Sequence, residues 1–268
     1  MSTLTITTIQ SNLFWEDKMA NLQMLQKKID SIEEKTEIVI LPEMFTTGFS
    51  MNAAQLAETM DGETVDWMKM VSNKNGIVLT GSVMIEEAEK YYNRLIWMLP
   101  NGQYGYYDKR HLFAYGEEDQ HYSAGNKRLI ASVKGWKINL QVCYDLRFPV
   151  WARQSPLSSR RGAGGEVEYD VLIYVANWPE RRSHAWKTLL CARAIENQCY
   201  VIGVNRVGDD AKNIHYSGNS LVIDPLGQVL YHMADEEDIN TITLSKEKLE
   251  EVRTKFPFLN DADDFTML

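Results

Sequence analysis

Ile138-Asn139-Leu140-Gln141-Val142-Cys143-Tyr144-Asp145-Leu146-Arg147-Phe148-Pro149 is the stretch on which the reading of this chain turns. Residues Ile138 to Val142 are mostly apolar and read as a strand entering the interior, and Cys143 stands where that strand stops and a polar, charged turn begins. In layered α/β folds, ligand-binding groups gather just beyond the carboxyl ends of strands, because the sheet fixes their origin and the turn leaves them reachable. Cys143 is therefore a candidate nucleophile. The plainer alternative is a small inert thiol, since free cysteines are among the most buried residue types. The rest of the chain has to choose between them.

Outward from that stretch, the same pattern recurs. Ile38-Val39-Ile40-Leu41 is wholly apolar, as expected of a strand buried on both faces, and it ends in Pro42-Glu43. Asp170 to Ala176 is a second such run, followed by Asn177-Trp178-Pro179. Between the strands, Met19, Leu22, Leu25, Ile29 and Ile32 recur at helical steps. Asp61 to Met70 and His184 to Asn197 read as further helices, with strands at Met1 to Gln10, Gly76 to Ile85 and Tyr200 to Val204. The order is β-α-β, repeated in both halves. Hairpins interrupt it. Asn93 to Leu99 and Gln103 to Tyr107 meet through Pro100-Asn101-Gly102, and Ser220 to Ile223 and Val229 to His232 meet through Asp224-Pro225-Leu226-Gly227. Asp108-Lys109-Arg110-His111 closes the first hairpin, so Lys109 is a third polar residue at a strand terminus.

Gly116 to Lys127 reads as a polar loop able to cover a cleft, Phe148 to Gln154 as a helical turn, and Ser155 to Glu166 as an exposed loop. A strand at Ile239 to Leu244 and a helix at Lys246 to Lys255 follow. No repeat or linker divides residues 1–268, which read as one domain. The tail 256–268 carries Phe256, Phe258, Phe265 and Leu268, an apolar set suited to docking on a partner subunit.

Composition narrows the function classes. A formal charge of -9 without a dense Lys/Arg stripe argues against nucleic acid as a partner. The apolar runs fall short of the roughly 20 residues of a membrane span. Met1 to Gln10 alternates like a strand rather than a signal peptide, so a cytoplasmic location is expected. Three cysteines without Cys-x-x-Cys fit free thiols, and five scattered histidines argue against a metal site. The expected partner is a small-molecule substrate, with no cofactor.

A thiol needs a base, and the oxyanion it generates needs a nearby positive charge. Glu43 and Lys109 are of the right kinds. Singly, each is as well explained as a solvated or capping charge, so their joint placement at strand ends is the informative point. Leu41-Pro42-Glu43-Met44-Phe45, Tyr107-Asp108-Lys109-Arg110-His111-Leu112-Phe113 and Cys143-Tyr144-Asp145-Leu146-Arg147-Phe148-Pro149 resemble, in order and spacing, the three catalytic motifs of the nitrilase (carbon–nitrogen hydrolase) superfamily. Asn177-Trp178-Pro179, the stretch from Ala192 to Asn197 and Phe256-Pro257 stand where that family has similar words. Within the family, the likeness is to omega-amidases acting on 2-oxoglutaramate and 2-oxosuccinamate.

The resemblance implies an α/β fold, a four-layer α-β-β-α sandwich, assembled as homodimers or larger homo-oligomers. It also implies that Cys143, Glu43 and Lys109 hydrolyse an amide through a thioester, with a supporting carboxylate in the loop after the lysine. There Glu118 is chosen over Glu117 by its distance from His121-Tyr122. Tyr144, Trp178 and Arg181 are expected to contact substrate, with Arg182 beside Arg181 as a further source of positive charge. Arg147 is expected to brace the nucleophile turn. The stretch Ser155 to Glu166 departs from the family as an insertion. Rival readings are nitrilase, N-carbamoyl or general aliphatic amide hydrolysis, a Cys-His hydrolase using His111, and a non-catalytic binding or assembly module.

Overall fold

The computed structural model describes residues 2–154 and 169–263. In chain order the first half contains β1 (Thr3–Gln10), α1 (Lys18–Asp30), β2 (Ile38–Ile40), α2 (Ala53–Leu56), α3 (Glu63–Asn75), β3 (Val78–Glu87), β4 (Lys90–Met98) and β5 (Tyr104–Asp108). Next come α4 (Glu118–His121), β6 (Ile130–Val133), β7 (Trp136–Val142), α5 (Pro149–Ala152), β8 (Val171–Val175), α6 (Ser183–Asn197) and β9 (Tyr200–Val204). The chain closes with β10 (Val207–Asp209), β11 (His215–Ile223), β12 (Val229–Ala234), β13 (Asp238–Ser245) and α7 (Lys246–Lys255).

These strands form two mixed sheets. One runs β13-β1-β2-β3-β4-β5, and the other runs β10-β11-β9-β8-β7-β6 with β12 beside β11. The parallel centre of each is the β-α-β part of the chain, β1-β2-β3 in one and β7-β8-β9 in the other. The last strand returns to the first sheet, pairing antiparallel with β1 from Thr3↔Ser245 to Gln10↔Asp238.

Alternation along β2 shows why its run is wholly apolar. Ile38 and Ile40 point between the sheets into a core shared with Ile138, Leu140 and Val142. Val39 points the other way, to Leu22, Leu25 and Ile29 of α1 and Val65, Met68 and Val71 of α3. On the far side, Trp186 and Leu190 of α6 press against Gly203 of β9 so closely that a methyl group there would collide with both. Helix, sheet, sheet, helix is the expected sandwich.

Helix boundaries follow local chemistry. Asp17 caps α1 by accepting the Ala20 N–H at 3.0 Å, and Ser245 caps α7 by accepting the Lys248 N–H at 3.2 Å. Helix α3 runs to Asn75 rather than Met70, because Val71 and Ser72 continue its buried stripe and Gly76, at φ 65°, supplies the left-handed stop. Strands β6 and β10, of four and three residues, are too short to have shown a period. The loop read at Gly116 to Lys127 contains the single turn α4. In the tail, Leu259 buries on the chain itself and the Phe256 carbonyl accepts from Gln198 Nε2 at 2.7 Å, whereas Phe258 is exposed. Phe265, Leu268 and the Ser155 to Glu166 insertion lie outside the described residues.

Candidate active site

Two of the three strand ends turn sharply. Met44, next to Glu43, and Cys143 each sit at φ 44° without being glycine. Such conformations cost about 1–3 kcal/mol each and persist only where surroundings enforce them, which is common at functional sites. Around Cys143 the enforcing groups are visible. Asp145 accepts the Val142 N–H at 3.1 Å, and Arg193 of α6 donates from Nη2 to the Leu146 carbonyl at 2.6 Å. Arg193, not Arg147, braces the turn.

Two strand ends and the start of α4 bring Glu43, Lys109 and Glu118 into one fully buried group. Lys109 Nζ donates to Glu43 Oε1 at 2.9 Å and to both oxygens of Glu118 at 3.0 and 2.9 Å. Asn93 of β4 bridges the carboxylates, its Nδ2 donating to Glu43 Oε1 at 2.8 Å and to Glu118 Oε1 at 3.0 Å. The Asn177 N–H, at the end of β8, donates to Glu43 Oε2 at 2.7 Å. Glu118 also accepts the Phe113 N–H at 2.6 Å, whereas Glu117 adopts a left-handed conformation and points into solvent.

Lys109 is positioned through its backbone. Its N–H donates to the Asn93 carbonyl at 3.0 Å, and its carbonyl accepts from Gly125 at 2.9 Å. A Cβ on Gly125 would run into the Asp108 carbonyl. Gly125→Ala should therefore displace the Lys109 strand end and destabilise the fold by about 1–3 kcal/mol, the usual range for overpacking. Urea unfolding alongside an activity assay checks this, and wild-type stability would contradict it.

The electrostatics favour a neutral thiol in the resting site. Burial, and then the negative charge and hydrogen bond of Glu43, push the Cys143 thiol well above its ordinary range, with Lys109 opposing. Burial also raises Glu118, against the pull of Lys109. Lys109 stays an ammonium, because Glu118 and Glu43 outweigh its burial. Two carboxylates facing one ammonium suit a base that takes the thiol proton as attack occurs.

Cys143 opens on a cavity of about 140 Å³. Tyr144, Trp178 and Arg181 line it, as do Arg147 and Arg182. The Arg147 guanidinium lies 5.1 Å from the Trp178 ring centre and that of Arg182 lies 4.9 Å from Phe113. Among the described residues no carboxylate comes within ion-pair distance of Arg147, Arg181 or Arg182. Burial, together with Arg181 and Arg147, pulls the Arg182 guanidinium below its ordinary range, opposed by Cys143. The acid in the lining, Asp210, is occupied by the N–H groups of Lys212 and Ile214 and by the Tyr216 hydroxyl, at 2.8–3.1 Å. The cavity is thus cationic at its walls.

His111 is elsewhere. Its Nδ1 lies 2.8 Å from Asp145 Oδ1, its ring stacks on Phe148 at 3.8 Å, and it lines a separate groove with Arg110 and Trp151.

A two-sheet sandwich with these groups at its strand ends defines a class, and the family comparison agrees: the chain belongs to the carbon–nitrogen hydrolase family, matching its model over residues 5–254. It is a hydrolase acting on carbon–nitrogen bonds other than peptide bonds, an amidase of the nitrilase superfamily. It is 43% identical over its whole length to the whole of omega-amidase YafV of Yersinia enterocolitica. It is also 33% identical to 2-oxoglutaramate amidase of Bacillus subtilis, over 96% of each chain. Among solved structures, XC1258 of Xanthomonas campestris, a CN-hydrolase superfamily protein with an arsenic adduct in its active site, superposes with a TM-score of 0.96. That match covers both chains fully at 44% identity.

Sequence reasoning missed Asn93, Asn177 as a partner of Glu43, Asp145 and Arg193. The available signals were the motif words that contain Asp145, Asn177 and Arg193, and Asn93 at the head of the strand read at Asn93 to Leu99. A buried amide in a strand needs partners, and here they are two carboxylates.

Proposed function

We propose that the chain releases ammonia from the ω-amide of small 2-oxo dicarboxylic acid monoamides such as 2-oxoglutaramate and 2-oxosuccinamate. The observation that carries the reading is the buried group of Glu43, Lys109 and Glu118 beside Cys143, which alone of the four lines a cavity with cationic walls.

The Sγ of Cys143 attacks the amide carbon while Glu43 takes the thiol proton. The Lys109 ammonium and the Tyr144 backbone N–H receive the oxyanion. Glu43 returns the proton to the leaving nitrogen, ammonia departs, and a thioester remains. Water, deprotonated by Glu43, then adds to the thioester, releasing the carboxylic acid and restoring the thiol. Glu118 and Asn93 hold Lys109 and Glu43 in register throughout.

The substrate's remote carboxylate pairs with Arg181 or Arg182, with Trp178 as a wall. Arg182 is half-buried and Arg181 exposed, and a charged donor in a partly desolvated pocket that loses its partner costs more than a missing apolar contact, so such sites discriminate. Esterifying the remote carboxylate of 2-oxoglutaramate should lower kcat/KM by about 10²-fold or more, and Arg182→Met should erase most of that preference. Comparing 2-oxoglutaramate with a nitrile, an N-carbamoyl amino acid and an uncharged amide of equal length tests the assignment. Equal kcat/KM for the charged and uncharged amides would replace it with a general aliphatic amidase.

A further inference from the structure

The Asp145 carboxylate is fully buried and takes four donors. Its Oδ2 accepts the Tyr107 hydroxyl at 2.7 Å and the Val142 N–H at 3.1 Å, while its Oδ1 accepts the His111 N–H at 2.9 Å and the His111 ring at 2.8 Å. A carboxylate only accepts, so the imidazole Nδ1 carries the proton in this contact. Tyr107 and His111 flank Lys109, while Val142 and Asp145 flank Cys143. One carboxylate therefore ties the ammonium strand to the nucleophile turn. The Tyr107 hydroxyl in turn accepts from Trp151 Nε1 at 2.9 Å and from the Arg110 N–H at 3.1 Å, and the imidazole is clamped against Phe148. Nothing in this network touches the cavity on which Cys143 opens, since His111 lines the groove on the other side of the turn.

From this geometry we infer that Asp145 and His111 are positioning residues: the imidazole holds the buried carboxylate, and the carboxylate holds Cys143 in its left-handed conformation opposite Lys109. The inference rests on Cys143 being the nucleophile of the proposed reaction, but not on which amide is the substrate. Misplacement of a reacting group by about 1 Å can cost on the order of a hundredfold in rate, so loosening the clasp should show in turnover rather than in binding.

The test compares His111→Ala, His111→Asn and Asp145→Asn by thermal unfolding, by kcat and KM on 2-oxoglutaramate, and by the rate at which iodoacetamide alkylates Cys143 in folded protein. His111→Ala should lower kcat and the alkylation rate by about tenfold or more, with KM within about threefold. His111→Asn, whose amide can still donate to Asp145, should recover most of both. Imidazole added in the tens of millimolar should restore part of the loss in His111→Ala, because the groove admits it from solvent. Asp145→Asn turns an amide NH₂ toward existing donors and should be the most impaired in both rates. If His111→Ala alkylates and turns over at the wild-type rate, or loses both only in proportion to unfolded protein, the inference fails. If the wild type leaves 2-oxoglutaramate intact while the alkylation ranking holds, the substrate assignment fails and the positioning role stands.

Discussion

Lys109→Met should lower kcat/KM toward 2-oxoglutaramate by about two orders of magnitude or more, corresponding to roughly 3 kcal/mol of lost transition-state stabilisation, the scale of removing one preorganised donor. The variant should also be less stable. Its ammonium is the cation between Glu43 and Glu118, all three fully buried, and breaking a buried pair costs about 3–5 kcal/mol because a charge is left uncompensated. Without the lysine, burial and the charge of Glu43 push the Glu118 carboxyl further above its unfolded value, because the ammonium no longer opposes them. The native variant then binds more protons than the unfolded chain, so its stability is greatest at low pH and falls as pH rises through that raised pKa. Urea unfolding at pH 5 and pH 8 should show the larger deficit at pH 8. His111→Asn should cost much less activity. If it costs more than Lys109→Met, a Cys-His hydrolase replaces the mechanism built on Glu43, Lys109 and Cys143.

Cys143→Ser should lose nearly all turnover, since an alcohol is far harder to deprotonate than a thiol and Glu43 is placed to serve the thiol. Glu43→Gln removes the base and halves the charge facing Lys109. If deacylation is slowed more than acylation, the acyl-enzyme should accumulate and add the mass of the acid minus water to the intact protein. Intact-protein mass spectrometry after mixing with substrate reads this directly. Retention of most of the wild-type rate by Cys143→Ser would rule out the covalent route.

What the sequence by itself determined was local. Runs such as Ile38 to Leu41 and Ile138 to Val142 are strands because every apolar residue in them has a face to bury. Where such runs stop, Glu43, Lys109 and Cys143 stand at or just past strand ends, which made them candidates, while their grouping and the order of layers came from the resemblance of the three motifs to a known family. What only the tertiary structure decided lay between distant segments. Asn177 meets Glu43 across 134 residues, Asn93 meets it across 50, and Asp145 meets Tyr107 across 38. Hydrogen bonds of that kind leave no period in the sequence, because their partners are set by sheet register and by the approach of one sheet to another. Arg147 shows the same limit. Its neighbours in sequence suggested a brace for the turn, yet its side chain lies over Trp178 in the cavity, and the brace arrives from Arg193 on a helix of the outer layer. A long cationic side chain goes where an aromatic face and an open cavity accept it, and that is a property of the assembled surface rather than of the chain beside it.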